Sequence, residues 1–496
     1  MTIPLDARTI ARQTLADAAY GVFIDNAFRP AADGRTFEVT NPATGDLLAT
    51  IPDAGAADTH AAIDSAAAAL PAWSALPALQ RADLLRKAAA LMVERKEHLA
   101  TLMTLEQGKP LTEARGEIVY AASFLNWFAG EAERIYGQII PASVAGKRLM
   151  VLRQPVGVVA LITPWNFPSA MLTRKLGPAL AAGCTAICKP AEQTPLSALE
   201  LGRVFINAGF PPGVVNILPC SDPIPFSDVI FADDRVRKVS FTGSTEVGKI
   251  LIRNSAATVK RISLELGGNA PFIIFDDADL EAAIKGAIAS KFRNNGQTCV
   301  CANRIYVQRG IYDRFAAHFA EEVGKMRVGN GLLPDSVLGP LIDMAARLKV
   351  ERHISDALAH GAKLMLGGSA MPDNATVGGT FWQPTVLTDV RADMLITQEE
   401  TFGPVAPLIP FDTEDEVIAA ANDTPFGLAA YFYTRDVSRV MRVAERLEYG
   451  IIGANDALPS TAQAPFGGVK QSGLGREGGS VGIDEYLEVK YLSLGI

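Results

Sequence analysis

The chain of 496 residues is poor in cysteine and histidine, with five of each. Five cysteines spread over so long a chain do not form a disulfide framework, and they favour a reducing compartment, so we expect a cytoplasmic protein. Residues 1–6 lack a basic segment followed by an apolar one, so no signal peptide is expected. No apolar run approaches the roughly 20 residues that span a bilayer, which argues against a membrane protein.

The sequence also lacks any block rich in lysine and arginine. Its net charge is -8 and its pI is near 5.4. This balance disfavours nucleic acid and anionic membranes as partners, so any bound anion must be held by a few individual arginines. We expect no metal site. The composition, 49% hydrophobic and 20% charged, is that of a compact protein long enough for two or three domains.

Strands and helices alternate through most of the chain, which predicts an α/β fold with a doubly wound parallel sheet. The predicted strands are 158–163, 185–189, 214–218, 238–242 and 271–275, and the predicted helices are 170–182, 196–209, 245–254, 280–291, 311–325 and 344–360. Residues 54–105 have a helical apolar pattern. Residues 486–494 alternate like a strand without a hairpin partner, so we expect them to pair with another subunit or a distant segment.

The segment 292–304, Phe-Arg-Asn-Asn-Gly-Gln-Thr-Cys-Val-Cys-Ala-Asn-Arg, is the most informative about function. It places Cys299 among small and polar residues, after a Gly-Gln pair that indicates a turn. A nucleophilic thiol needs partial exposure and neighbouring donors that stabilise its thiolate. The alternative is a buried cysteine that only fills space in a core.

Two segments that follow predicted strands are candidate cofactor sites. In Phe-Thr-Gly-Ser-Thr-Glu-Val-Gly-Lys at 241–249, Gly243 and Gly248 allow a tight turn into a helix whose free N–H groups can bind phosphate. In Cys-Lys-Pro-Ala-Glu-Gln-Thr-Pro at 188–195, Lys189 and Glu192 can hold two ribose hydroxyls. Both segments can equally be simple helix starts.

Two further segments carry candidate catalytic side chains. Thr-Pro-Trp-Asn-Phe-Pro at 163–168 fixes Asn166 between two prolines, where its amide can donate to a developing oxyanion, although a plain turn is the alternative. Leu-Glu-Leu-Gly-Gly-Asn at 264–269 places Glu265 between leucines, and poor solvation there would raise its pKa toward that of a general base. A half-exposed strand carboxylate is the other interpretation.

The order and spacing of these segments, together with Gln-Glu-Glu-Thr-Phe-Gly-Pro at 398–404 and the glycine-rich loop 465–476, resemble the NAD(P)-dependent aldehyde dehydrogenase superfamily. The similarity runs from about residue 20 to the C-terminus, and the motifs are most similar to those of succinate-semialdehyde dehydrogenases. The resemblance implies an NAD-binding domain of residues 1–132 and 156–267 and a catalytic domain of residues 268–466. It also implies an oligomerisation element of residues 133–155 and 480–496, so a homodimer or homotetramer is expected.

The resemblance also implies roles for particular residues. Cys299 attacks the aldehyde, Asn166 and the Cys299 N–H stabilise the oxyanion, and Glu265 activates water to hydrolyse the thioester. The implied cofactor-binding residues are Trp165, Lys189, Glu192, Gly243, Ser244, Gly248, Leu266, Glu400 and Phe402. A carboxylate at 192 repels a 2′-phosphate, so NAD is expected over NADP; some relatives carry serine there and use NADP.

The implied substrate is an aldehyde with a distal anionic group, because Arg174 and Arg293 match arginines that bind the far carboxylate in semialdehyde dehydrogenases. A guanidinium also suits a sulfonate. The alternative is that both arginines pair with surface acids. The segment 455–464 departs from the family pattern: Ser460 or Thr461 could contact the carboxylate, while Pro459 could reshape the pocket. Succinic semialdehyde is expected, with glutaric or malonic semialdehyde, sulfolactaldehyde, or a broad specificity as alternatives.

Cys301 is close enough in sequence to form a reversible disulfide with Cys299 under oxidation. In an extended Cys-Val-Cys segment the Cα atoms are about 6.5 Å apart, near the upper limit for such a bond. The alternative is that Cys301 only packs.

Three other functions are less consistent with the sequence. A papain-like hydrolase needs a histidine beside its thiol, and none of the five is in such a setting. A CoA-acylating aldehyde dehydrogenase does not need Glu265 to activate water. A protein with a purely structural role does not need Cys299 or Glu265.

Overall fold

A computed structural model describes residues 7–15, 19–372 and 379–496. Residues 1–6, where no signal peptide is expected, lie outside these ranges. The helices are α1 (Ala7–Leu15), α2 (Ala56–Ala75), α3 (Ala78–Glu94), α4 (Lys96–Gln107), α5 (Leu111–Ala132), α6 (Pro168–Ala182), α7 (Pro195–Ala208), α8 (Pro223–Ala232), α9 (Thr245–Ser255), α10 (Leu280–Phe292), α11 (Tyr312–Gly324), α12 (Met344–Ala359), α13 (Leu395–Gln398), α14 (Glu414–Asn422) and α15 (Val437–Arg446).

The strands are β1 (Val22–Ile24), β2 (Ala27–Arg29), β3 (Thr36–Thr40), β4 (Leu47–Pro52), β5 (Gln138–Ile140), β6 (Lys147–Pro155), β7 (Val158–Ile162), β8 (Thr185–Lys189), β9 (Val215–Ile217), β10 (Val236–Thr242), β11 (Arg261–Glu265), β12 (Ala270–Ile274), β13 (Ala302–Gln308), β14 (Lys363–Leu366), β15 (Thr385–Thr388), β16 (Val405–Phe411), β17 (Ala429–Tyr433), β18 (Ile451–Ala454), β19 (Gly473–Leu474) and β20 (Leu487–Gly495). The two-residue loop between β1 and β2 and the longer loop between β3 and β4 close antiparallel hairpins.

The first large sheet has the strand order β19-β11-β10-β7-β8-β9-β1-β2. Its central strands, β11 to β9, are parallel, and the strands at both edges pair antiparallel. The chain runs from β7 outward to β8 and β9, then returns to the other side of β7 for β10 and β11. The strand order therefore reverses between β7 and β10, and ligands of doubly wound sheets bind at the carboxyl ends of the strands at such a point.

The second large sheet has the order β14-β15-β16-β13-β12-β17-β18, and every pairing in it is parallel except that of β14 with β15. It is built from the residues that follow β11. Its strands β12 and β13 begin close to the segments that carry the candidate catalytic residues.

Both large sheets are covered on both faces by apolar side chains. In β7, Val159 and Leu161 enter one core cluster, and the alternate residues Val158 and Ala160 enter another. Strand β12 divides its side chains between two clusters in the same way. Near-continuous burial of this kind is typical of parallel strands between helical layers. The predicted doubly wound α/β architecture is confirmed.

The C-terminal strand β20 pairs antiparallel with β6, from Leu487 opposite Pro155 to Gly495 opposite Lys147. Strand β5 lies on the other side of β6, which completes a separate three-stranded sheet. Residues 486–494 were expected to pair with another subunit or with a distant segment, and in the structure they pair with a distant segment of the same chain.

The predicted elements agree with the structure within about two residues, and strand 185–189 coincides with β8. The helical region 54–105 is divided into three helices. Leu76 ends α2 in an extended conformation (ψ 133°), because the residue before a proline is disfavoured in the α region, and α3 starts directly after Pro77. Helix α5 was not among the predicted elements.

Among the described residues no helix has the length and apolar character to cross a membrane, and no group of three or more His, Cys, Asp or Glu has a metal-binding arrangement. All five cysteines are free thiols.

Candidate active site

A cavity of about 270 Å³ lies where the strand order of the first sheet reverses. It is bounded by residues that follow β7, β10 and β11 and, from the second sheet, by residues that precede β13 and β16. Its lining residues are Pro164, Trp165, Asn166, Thr242, Gly243, Ser244, Leu266, Gly267, Cys299, Ala346, Lys349, Glu400, Thr401 and Phe402. The carboxyl edge of one sheet thus faces the amino edge of the other across this cavity.

A second cavity of about 280 Å³ lies on the other side of the thiol. Its lining residues are Glu113, Gly116, Glu117, Tyr120, Phe167, Met171, Arg174, Arg293, Thr298, Cys299, Val300, Ser460 and Phe466. Cys299 is the residue that both lining sets share. It is half-buried, so its thiol is accessible from two separate spaces at once.

The loop before Cys299 has an uncommon backbone conformation. Asn294, Asn295 and Gly296 all have positive φ (50°, 57° and 75°), a region that asparagine and glycine tolerate best. A side chain at Gly296 would be 2.2 Å from the Gly403 carbonyl oxygen, so only glycine fits. The expected turn at Gly296-Gln297 is therefore part of a longer left-handed segment.

Buried hydrogen bonds from other elements hold this loop. The Asn294 backbone N–H donates to Glu113 Oε2 at 2.8 Å, and Asn294 Nδ2 donates to the Asn166 carbonyl at 2.9 Å. Gln297 Oε1 accepts from the Ile342 N–H at 2.9 Å. Because these partners come from α5, from the loop after β7 and from the chain before α12, they fix the loop from three sides.

The segment from Thr298 to Cys301 is a turn closed by a 2.9 Å hydrogen bond from the Cys301 N–H to the Thr298 carbonyl. The assumption of an extended Cys-Val-Cys segment was wrong, because the chain must turn here to enter β13 from the loop. The buried Cys301 thiol donates to the Lys291 carbonyl at 3.2 Å and is directed at α10.

The Cys299 thiol has an elevated pKa of about 12. Burial is the largest cause and the charge of Glu400 adds to it, whereas Arg174 and Arg293 act in the opposite direction. The neighbouring cations therefore do not stabilise the thiolate enough to offset desolvation. The group is a thiol at neutral pH, so its reaction requires a base.

Asn166 is buried between the two sheets. Its Nδ2 donates to the Gln297 carbonyl at 3.1 Å, and its Oδ1 has no hydrogen-bond partner. Its own carbonyl accepts from Lys109 Nζ at 2.7 Å, and Lys109 forms a buried ion pair with Glu117 at 2.5 Å. Glu117 in turn accepts from two N–H groups in the first turn of α6, which anchors the whole loop after β7.

Glu265 ends β11 and is buried, and its Oε2 has no partner. Burial raises the pKa of this carboxyl well above its ordinary value, and the nearby Glu477 raises it further, while Lys175 and Arg174 oppose the shift. Glu477 is paired with Lys175 at 2.5 Å. The raised pKa expected from the leucines on either side is thus present, with a second carboxylate adding to the effect.

Arg174 lies in the wall of the second cavity on α6 and is buried. Its guanidinium stacks 4.0 Å from the Phe466 ring and donates to the Tyr120 hydroxyl at 2.6 Å, while its Nε has no partner. The closest carboxylate is the buried Glu477, at 3.7 Å. Arg174 is therefore not paired with a surface acid.

Arg293 lies in the same cavity, with its guanidinium carbon 5.5 Å from the Phe167 ring centre. In the described chain no carboxylate forms an ion pair with it. Two guanidinium groups thus line one small space with largely apolar walls, and that space opens onto the Cys299 thiol. Such a space suits a short molecule with an anionic end.

The structure places the two candidates for a contact with the substrate carboxylate, residues 460 and 461, in different surroundings. Ser460 lines the second cavity. Thr461 is exposed and donates to Gln463 Oε1, outside the lining set.

The predicted cofactor residues fall into two groups. Trp165, Gly243, Ser244, Leu266, Glu400 and Phe402 line the first cavity. Gly248 does not: its N–H donates to the Ser244 carbonyl, and a side chain there would be 2.6 Å from Leu266. Its lack of a side chain lets α9 pack against Leu266, so the structure gives Gly248 a packing role, and the predicted contact with the cofactor stays a prediction.

Lys189 and Glu192 lie outside this lining set, at the carboxyl end of β8 beside β7. Lys189 Nζ is 3.6 Å from Glu192 Oε2, and the Glu192 side chain is 42% exposed. The Thr163 N–H donates to the Lys189 carbonyl, so the pair is on the same sheet edge as the cavity. The Ser244 hydroxyl caps the N-terminus of α9 by accepting from the Val247 N–H at 3.3 Å.

Glu400 accepts from the Gly268 N–H at 3.2 Å, and burial raises the pKa of its carboxyl to about 7. Phe402 has a positive φ of 56°, a strained conformation for a bulky residue. Its ring meets Trp165 edge-on, with 5.5 Å between centroids. The strained backbone directs an aromatic side chain toward the cavity.

Several site residues were missed by sequence reasoning. Lys349 of α12 lines the first cavity and opposes the raised pKa of Glu400. Helix α5 contributes a whole wall of the second cavity through residues 113, 116, 117 and 120. Their i, i+3, i+4, i+7 spacing was a readable signal of one helix face, but nothing local indicates that this face borders a cavity.

Comparisons with known proteins identify the family. Residues 28–492 match the model of the aldehyde dehydrogenase family. The chain is 57% identical over 473 residues to succinate-semialdehyde dehydrogenase [NADP(+)] GabD of Escherichia coli (strain K12), covering 95% of this chain and 97% of that one. It is 56% identical to a glutarate-semialdehyde dehydrogenase of Pseudomonas aeruginosa, with coverage of 95% and 97%.

A solved structure agrees in fold. The crystal structure of succinate-semialdehyde dehydrogenase from Burkholderia pseudomallei superimposes with a TM-score of 0.94 at 53% identity, covering 96% of this chain and 98% of that one. The family match covers the strands, helices and loops that form both cavities. The chain is an enzyme of the aldehyde dehydrogenase family.

Proposed function

We propose that this enzyme oxidises a short aldehyde with a distal anionic group, with succinic semialdehyde as the best substrate. One observation carries the proposal: the Cys299 thiol separates a cavity at the reversal point of the first sheet from a cavity that contains two guanidinium groups. A substrate carbon bound at the thiol can then give its hydride to an acceptor in the first cavity while the distal carboxylate lies between Arg174 and Arg293.

Attack by Cys299 on the aldehyde carbon forms a thiohemiacetal. Because the pKa of the thiol is about 12, its proton must leave as the bond forms. Glu265 lines neither cavity, but its charge is near enough to raise the pKa of the thiol, and we assign its carboxylate form as the base. The free Nδ2 hydrogen of Asn166 and the Cys299 backbone N–H stabilise the oxyanion. After oxidation to the thioester, Glu265 must first release the proton that it took from the thiol. As a carboxylate again, it takes a proton from the water that attacks the thioester, and that proton returns to the Cys299 sulfur as the acid leaves.

The first cavity fits a nicotinamide cofactor, which supplies the hydride acceptor when bound. The N-terminus of α9 can bind the pyrophosphate near Gly243 and Ser244, and a side chain at Gly243 would be 2.3 Å from the Phe241 ring. Trp165 and Phe402 supply aromatic walls. Glu400, held by the Gly268 N–H, can accept from the nicotinamide ribose.

We propose that NAD is preferred over NADP. Glu192 and Lys189 can hold the two adenosine ribose hydroxyls, and the Glu192 carboxylate would repel a 2′-phosphate. Because the Escherichia coli relative is named for NADP(+), the proposed preference for NAD rests on Glu192 of this chain and not on that relative.

For the substrate, the relatives named for succinic and glutaric semialdehyde support an anionic aldehyde of four or five carbons. Ser460 can add a hydroxyl contact to the carboxylate. Malonic semialdehyde and sulfolactaldehyde also carry an aldehyde and a distal anionic group, so both are included in the test.

We further propose that residues 1–132 and 156–267 form the NAD-binding domain, 268–466 the catalytic domain, and 133–155 with 480–496 the oligomerisation element. The two large sheets and the three-stranded sheet support this division, although β19 joins the first sheet from beyond residue 466. The three-stranded sheet exposes apolar side chains, among them Ile139 (77%) and Val489 (66%). Such a patch suits burial against a second copy, so sedimentation should show a dimer or tetramer. A cytoplasmic location stays a prediction.

The proposal is tested by following NADH and NADPH formation with succinic, glutaric and malonic semialdehydes, sulfolactaldehyde and uncharged aldehydes, with and without coenzyme A. We expect turnover of anionic aldehydes without coenzyme A and none in Cys299→Ala. Strict dependence on coenzyme A, or turnover of uncharged aldehydes alone, would refute it.

A further inference from the structure

Gly116 lies inside helix α5, where glycine is the poorest residue after proline for helix stability. Glycines inside helices usually have a packing reason. Among the described α-helices, a side chain at five other interior glycines would meet another residue within 4 Å: Gly130, Gly177, Gly202, Gly248 and Gly286. A side chain at Gly116 would meet nothing within that distance.

The backbone gives no reason for glycine either, because Gly116 is not among the residues with positive φ. Alanine would fit its conformation and its surroundings, and would stabilise the helix. Gly116 lines the second cavity together with Glu113, Glu117 and Tyr120, so we take the open space next to it as part of that cavity.

Gly116 lies toward the opening of this cavity. It is exposed, whereas the next residue, Glu117, is buried, and Tyr120 one turn further along is half-buried beside Arg174. A substrate bound at Cys299 has its distal end among the guanidinium groups. Additional length in that substrate must therefore be accommodated by space toward the opening.

We propose that Gly116 determines substrate length: its missing side chain leaves the room that lets the enzyme accept an anionic aldehyde one carbon longer than succinic semialdehyde. This inference rests on the proposed function, since it concerns the same cavity. The chemical class it assigns is a five-carbon semialdehyde with a terminal carboxylate. We expect the four-carbon substrate not to need this space.

The test compares kcat/KM for glutaric and succinic semialdehyde in the wild type, Gly116→Ala and Gly116→Val. We expect the glutaric-to-succinic ratio to fall in Gly116→Ala and to fall by roughly tenfold or more in Gly116→Val, which is the effect of one unfavourable group in a substrate pocket. The KM for NAD should not change. The Tm of Gly116→Ala should be equal to or above that of the wild type, because alanine favours the helix.

Gly130→Ala is the matched control. It makes the same substitution in the same helix outside the cavity, where the new side chain would be 3.1 Å only from the flexible end of Arg134. Its ratio should equal that of the wild type. The Ki of glutarate relative to succinate gives a second measurement that does not depend on the chemical step, and it should rise in the Gly116 variants.

The outcomes separate the two proposals. A wild-type enzyme that oxidises neither semialdehyde refutes the proposed function together with this inference. Activity with both substrates and an unchanged ratio in folded Gly116→Val refutes the role of Gly116 alone.

Discussion

The side-chain amide of Asn166 donates from Nδ2 to the backbone carbonyl of Gln297 at 3.1 Å, two residues before Cys299. This hydrogen bond joins the loop after β7 in the first sheet to the loop before β13 in the second. It uses one amide hydrogen and leaves the other to donate to a reacting oxygen. The proposed oxyanion site is therefore assembled only when the two sheets meet.

Replacing Asn166 with alanine should lower kcat by roughly 100- to 1000-fold, the usual cost of removing one oxyanion donor. The KM for NAD should change little, because the cofactor cleft has many other contacts. Steady-state kinetics with succinic semialdehyde measures both, and thermal unfolding checks that the variant is folded. A kcat within threefold of the wild type would exclude Asn166 from the transition state.

Replacing Glu477 with glutamine should move the acid limb of the pH profile of kcat to lower pH. Glu265 must be deprotonated to act as a base, so activity rises as pH increases through its raised pKa. Removing the Glu477 charge takes away one cause of that rise. It also leaves Lys175 without its carboxylate partner, and an unpaired cation lowers the pKa of Glu265 further. A limb that stays in place or moves to higher pH would contradict this coupling.

Replacing Glu192 with serine should raise kcat/KM for NADP by roughly tenfold, because a like charge opposite the 2′-phosphate is removed. The value for NAD should fall, since one ribose contact is lost. Glu321→Ser, an exposed acid on α11, is the control and should change neither. A wild type that uses NADP as well as NAD would contradict this role of Glu192.

Mild peroxide should inactivate the enzyme by joining Cys299 and Cys301: the sulfenic acid formed on one thiol condenses with the other and releases water. The Cys301 thiol must first rotate away from the Lys291 carbonyl, so the reaction should be slow. Intact mass should show the loss of two hydrogens, reversed by dithiothreitol. Reversible inactivation that persists in Cys301→Ala would exclude this disulfide.

Much of the fold could be predicted from the sequence because parallel strands are short apolar runs between turns. Strand 185–189 was predicted without error for that reason. The turn at Cys299–Cys301 was not, since a Cys-Val-Cys segment contains no turn-forming residue and only the connection from the loop into β13 imposes it. The six predicted residues that line the first cavity could be found from the sequence because each lies within a few residues of a strand end.

The parts of the site that depend on distant segments could not be predicted. Lys175 and Glu477 are 302 residues apart, and neither lies in a motif, yet they form the ion pair that affects Glu265. Gly116 lies in a helix that sequence patterns did not assign. The role proposed for it depends on an empty space beside it, which no local pattern of residues can indicate.

The most direct test of the whole account compares kcat/KM for succinic semialdehyde and butanal, an uncharged aldehyde of equal length, in the wild type and in Arg174→Met. Methionine retains much of the volume against Phe466 but cannot bind a carboxylate, and Arg309→Met at the surface is the control. A hydrogen bond to a charged group contributes roughly 1.5–3 kcal/mol, so the preference for succinic semialdehyde should fall by about ten- to hundredfold in Arg174→Met, mainly through KM. Equal losses for both aldehydes would contradict the assignment of this cavity to an anionic substrate.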